Sequence, residues 1–91
     1  MSPENFKKLK ELRKKLDKLD NSFIKLIKKR SNLVEKVLSL KKNKNEIVDQ
    51  KRIKLILKEV RKKSIKNKID PKITNRIWRN MIWSFIDFEI R

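Results

Sequence analysis

Ten positions of this chain, spaced three and four apart without a break, decide most of what it can fold into. They are Leu9, Leu12, Leu16, Leu19, Phe23, Leu26, Arg30, Leu33, Val37 and Leu40. Side chains at that spacing share one helix face, so the series is the apolar seam of one long amphipathic helix. No Gly or Pro interrupts it. Nine of the ten positions are apolar, and the tenth is Arg30. A guanidinium on a stripe meant for burial is costly unless an anion meets it.

Ser2-Pro3-Glu4 is a good helix start: Ser at the cap, Pro at the first helical position, Glu at the positive end of the dipole. The first helix is expected to run from there to about Leu40, spanning ~57 Å at 1.5 Å per residue. That exceeds the width of a compact domain of 91 residues. KKNKNE at 41–46 is polar and patternless and reads as a loop. A second helix is expected from near Asp49 to about Ile65, with Ile53, Ile56, Leu57 and Val60 on one face. Asn67-Lys68 closes it. Asp70-Pro71 then caps a third helix, whose apolar face carries Ile73, Ile77, Trp78, Met81, Ile82 and Phe85. The expected fold is all-α: a single domain over residues 1–91, with no internal repeat, made of a long helix and two shorter ones. Two short helices cover only part of the long seam. An intertwined homodimer is the natural way to bury the rest, the alternative being a monomeric three-helix bundle with a broken first helix.

Composition narrows the chemistry. Cys and His are absent, which removes disulfides, thiol nucleophiles, the usual zinc sites and imidazole acid–base catalysis. No apolar run reaches membrane-spanning length and the N-terminus has no signal-like core, so a cytoplasmic, soluble protein is expected, without a membrane partner. The formal net charge is +17. A nucleic-acid-binding helical protein would explain that charge. So would an A/T-rich genome, because Lys, Ile and Asn have A/T-rich codons whereas the absent Ala and Gly have G/C-rich ones. Under that bias Arg is the more informative cation, since only Arg presents a fixed bidentate fork to a carboxylate or phosphate.

Several polar residues stand on or beside apolar faces. Lys41 lies eleven residues after Arg30, which on a continuous helix puts it on the same face at ~16 Å. Arg13 is seventeen residues before Arg30, about 25 Å away and rotated by roughly 100°. These two meet only if they come from different subunits. Glu89 shares a stripe with Trp78, Ile82 and Phe85, where desolvation would raise its pKa and nearby cations would oppose the rise. Asp49 and Arg52 share a face next to Ile53. Blander readings exist: a salt bridge from Arg30 to Asp17 or Asp20, a solvent-facing Glu89, a surface Asp49–Arg52 ion pair. Taken together, the residues suggest a cationic pocket for a small dianion. Such a pocket can accelerate a reaction that only redistributes charge, by orientation and electrostatic stabilisation.

Leu12-Arg13, LDKLD at 16–20, KKRSNLVEKVLSLK at 28–41, DQKR at 49–52 and IWRNMIWSFIDFE at 77–89 follow one another in an order and spacing that resemble a known family. The chain is similar over almost its whole length to the all-helical chorismate mutases of the intertwined-dimer type. The resemblance implies a three-helix protomer dimerised through its first helix, with active sites shared between subunits. It implies the cofactor-free rearrangement of chorismate to prephenate, in aromatic amino acid biosynthesis. Arg13 would reach into the partner's site and bind a substrate carboxylate, and Arg30 would hold a carboxylate too. Lys41 would contact a carboxylate and the ether oxygen, Arg52 would complete the cationic lining, and Asp49 would sit near the ring hydroxyl. Glu89 would donate a hydrogen bond to the ether oxygen. Two positions depart from the family pattern. Ile53 stands where Glu is common, and Phe85 where a small polar residue is common. Both make the pocket more apolar, and both resemble the sister group, the isochorismate-pyruvate lyases.

Overall fold

The computed structural model describes residues 1–41 and 48–90, the side chains of 89 and 90 excepted. The described residues form three helices, α1 (Pro3–Ser39), α2 (Gln50–Lys66) and α3 (Pro71–Ile90), and no strand. All-α architecture is therefore as expected. All but the first residue of KKNKNE lies outside the described residues. The chain divides into two compact units, Met1–Val37 and Leu38–Arg91. None of the helices, among the described residues, is long and apolar enough to cross a membrane.

The first unit is essentially one helix. Ser2 caps it as expected: its hydroxyl accepts from the Asn5 backbone N–H at 3.2 Å, and its carbonyl from that of Phe6 at 2.9 Å. No residue of α1 is buried. Leu19 and Leu26 are 61% and 60% exposed, so the seam exists but is uncovered. An isolated helix draws little stability from propensity alone, and most of it normally comes from packing of the apolar face.

In the second unit α2 and α3 pack on each other. Asp49, extended at φ −105° and ψ 94°, caps α2. Asn67 closes α2, and Lys68 takes the left-handed conformation at φ 58° that reverses the chain. Asp70 then caps α3, accepting from the Lys72 N–H at 2.9 Å, with Pro71 in the first turn. Ile53, Ile82 and Ile86 form the buried centre, flanked by Val48, Ile56, Leu57 and Trp78. Near the connection a polar clasp replaces apolar packing. The Ser64 hydroxyl donates to the Val60 carbonyl at 2.6 Å and stands 2.6 Å from the Thr74 hydroxyl. With Ser64's one proton committed, Thr74 donates to Ser64, which leaves its 3.3 Å contact to the Pro71 carbonyl the weaker.

One expectation for α3 is corrected. Ile73 and Ile77 are 55% and 45% exposed, while Thr74 and Ile86 are buried in their place. α3 is apolar on two stripes. The one through Thr74, Trp78, Ile82 and Ile86 meets α2, and the one through Ile73 and Ile77 is left open.

Candidate active site

The recess nearest the expected chemistry lies just ahead of α2. Lys41, Val48, Asp49, Gln50 and Lys51 line an open hollow of about 560 Å³. Lys41 is half-buried there. Its position differs from the helical extrapolation. α1 ends at Ser39, and the Lys41 N–H donates to the Leu38 carbonyl at 3.0 Å in a closing turn. The 100° step per residue therefore does not carry from Arg30 to Lys41, and Lys41 belongs to the unit that contains Asp49.

Asp49 is held by the helix it starts. Its Oδ1 accepts from the Arg52 backbone N–H at 3.0 Å. The link between these two residues is thus a cap rather than an ion pair. A carboxylate there also complements the positive end of the helix dipole. The cap fixes the first turn of α2 and hence the root of the exposed Arg52 side chain. Ile53, one residue on, is 8% exposed and packs into the α2–α3 core with Ile82 and Ile86. Phe85 is half-buried on α3. The backbone of Glu89 belongs to the last turn of α3, and its side chain lies outside the described residues.

The remaining candidates sit on α1. Arg13 is exposed, in a shallow groove with Phe6, Leu9, Lys10, Lys14 and Asp17. Arg30 is half-buried, while its seam neighbours Leu26 and Leu33 are each 60% exposed. Lys41 and Asp49 are therefore brought into one hollow and Asp49 is bonded to Arg52. Arg13 and Arg30 stand on the separate first unit. Gln50 and Lys51 are lining residues that the sequence reasoning passed over. Their only signal was their place directly after the cap residue.

The family model for chorismate mutase type II matches residues 12–90. The chain belongs to the type II chorismate mutase family. All eight candidate residues, from Arg13 to Glu89, lie inside the matched span. Among curated proteins, the chorismate mutase of Methanocaldococcus jannaschii is 36% identical over 76 residues, which cover 82% of this chain and 77% of that protein. No solved structure matches significantly. As a chorismate mutase the protein is an enzyme that isomerises chorismate. The chemistry of the hollow fits an anionic substrate. Lys41 and Lys51 bring two ammonium groups, while the one carboxylate, Asp49, is partly committed to its cap.

Proposed function

We propose that the protein rearranges chorismate to prephenate in a cationic pocket built from two copies of the chain. The observation that carries the shared site is α1. It holds Arg13 and Arg30 on a 37-residue helix of which no residue is buried. A second copy is the proposed cover for its seam, and the proposed source of an Arg13 able to join an Arg30. The resulting homodimer is set in the cytoplasm, in aromatic amino acid biosynthesis.

In the proposed mechanism Arg13 of one copy, with Arg30 and Arg52 of the other, binds the two carboxylates and holds the substrate in a folded, reactive conformation. The rearrangement breaks the ether C–O bond as a C–C bond forms, and no proton or cofactor takes part. Negative charge develops on the ether oxygen in the transition state. Lys41 stabilises it electrostatically, in a site with less water than bulk solution. Glu89 is proposed to donate a hydrogen bond to the same oxygen, which only its protonated form can do. Activity should therefore fall as pH rises through the Glu89 pKa. Glu89→Gln, a donor at every pH, should flatten the profile. An unchanged profile in that variant would remove Glu89 from the mechanism.

Ile53 favours a second reading. It packs into the α2–α3 core, so the position where Glu is common in the family presents no hydrogen-bonding group for a ring hydroxyl, and an isochorismate-pyruvate lyase is the alternative. Incubating the purified protein with chorismate and, separately, with isochorismate decides between the two. Prephenate from chorismate supports the proposal. Salicylate and pyruvate from isochorismate, with chorismate untouched, would replace it with the lyase.

A further inference from the structure

The cations are unevenly placed. α2 holds eight Lys and Arg to one acid, Glu59, in 17 residues. α1 holds twelve to five in 37. A uniform codon bias enriches Lys everywhere and does not by itself clear acids from one helix. Within the α2–α3 pair the cations form stripes. Lys54, Lys58 and Arg61 are four and three apart on α2, away from the buried Ile53 and Ser64. Lys72, Arg76, Arg79 and Trp83 are four, three and four apart on α3, away from the buried Thr74 and Ile82. All of these side chains are exposed.

The two stripes border an open groove of about 400 Å³ lined by Leu57, Lys58, Arg61, Pro71, Lys72 and Asn75. Arg79 is tied to the groove, its Nε donating to Asn75 Oδ1 at 3.4 Å. No acid lies within either stripe, and Asp87 stands one turn beyond Trp83. Glu59 pairs instead with Lys62 at 3.9 Å. Asp70 spends its Oδ1 on the Lys72 N–H as the α3 cap. Among the described residues Lys58, Arg61 and Lys72 have no ion-pair partner. Trp83 is 44% exposed and stands outside the core cluster, whereas Trp78, on the same helix, packs against it.

We infer that this outer face of the α2–α3 pair binds an extended phosphate polyanion, single-stranded nucleic acid, at a site separate from the one for chorismate. The cations extend ~10 Å along each helix, and Trp83 lies ~6 Å further along α3, which suits a row of phosphates better than a point anion. An exposed indole at the end of a cationic stripe is a stacking platform for an unpaired base, and it tolerates any sequence because every base has a π-face. A duplex keeps its bases stacked and offers Trp83 nothing comparable. Binding should be independent of sequence and strongly salt-dependent, weakening by about 0.7 log units per log unit of salt for each phosphate contacted.

The test uses the full chain and fluorescence anisotropy with a labelled single-stranded oligonucleotide, inorganic polyphosphate serving as competitor. Lys58→Glu/Arg61→Glu/Lys72→Glu should abolish binding and leave chorismate turnover unchanged. Lys7→Glu/Lys18→Glu/Lys25→Glu, the same charge change on the back of α1, should weaken it far less. Trp83→Leu should cost roughly tenfold in affinity for the oligonucleotide and nothing for polyphosphate. Equal losses in the two triple variants would reduce the effect to net charge and overturn the site. A Trp83→Leu variant that binds the oligonucleotide like the parent would overturn the assignment to nucleic acid. So would absence of binding to the parent.

Discussion

α1 and the α2–α3 hairpin are built from similar residues and end in opposite states. The hairpin buries Ile53, Ile82 and Ile86 and closes its turn with the Ser64–Thr74 clasp. α1 is longer than either of the other helices, carries a more regular apolar seam, and has no fully buried residue. The difference lies in geometry rather than composition. Two short helices joined by a reversal at Lys68 are mutual neighbours by construction, because only a few residues separate them. A 37-residue helix is ~55 Å long, and a partner covering its whole length must be about as long. The nine apolar seam positions repeat every seven residues in two interleaved series, from Leu9 to Val37 and from Leu12 to Leu40, with Arg30 the interruption. That spacing suits a second α1.

The contrast can be broken most severely on the seam. Leu19→Lys/Leu26→Lys should leave the hairpin folded and abolish both association and chorismate turnover. Burial of each Leu contributes about 2 kcal/mol, and a two-fold interface counts each twice. Sedimentation velocity reads the outcome, and a variant that stays dimeric would show that the seam is not the interface. A smaller effect should follow in the hairpin. Ile53→Ala should cost about 2–4 kcal/mol in a denaturant titration, through lost burial and the cavity left among Ile82, Ile86 and Leu57. A near-neutral result would mean that the hairpin core is not where the second unit draws its stability. The smallest effect is expected where the hairpin meets the candidate site. Asp49→Ala should lose the α2 cap and about 1 kcal/mol, whereas Asp49→Asn should keep the cap. Stability and kinetics then separate the two roles. If Asp49→Asn matches the parent in stability but binds chorismate more weakly, the carboxylate acts on the substrate as well as on the helix. If it matches the parent in both, Asp49 serves only to position Arg52.

What could be read from the residues alone follows the range of the forces involved. The starts at Ser2, Asp49 and Asp70-Pro71 rest on chemistry within three residues, and all three stand where the sequence put them. The seam also needs only local spacing. The buried stripe of α3 was harder, because that helix is apolar on two sides and only the position of α2 decides between Ile77 and Trp78. The Ser64–Thr74 clasp joins hydroxyls ten residues apart across a turn, and nothing local to either marks them as partners. Lys41 shows the same limit within the candidate site. A helical step count presumed an unbroken helix, and the helix stops two residues short of it. Ile53 reads equally well as pocket wall or core from its sequence neighbours, and its burial in the protomer places it in the core.

The claim that joins fold to function is that one copy's α1 completes the other copy's site, and subunit mixing tests it most directly. Arg13→Ala and Arg30→Ala should each be inactive alone. After denaturation and joint refolding in equal amounts, half the dimers are mixed, and each mixed dimer holds one site with both arginines. Turnover should return to about a quarter of the parent level. Mixed dimers that form, as shown by a tag on one partner, and yet remain inactive would contradict a site shared between subunits.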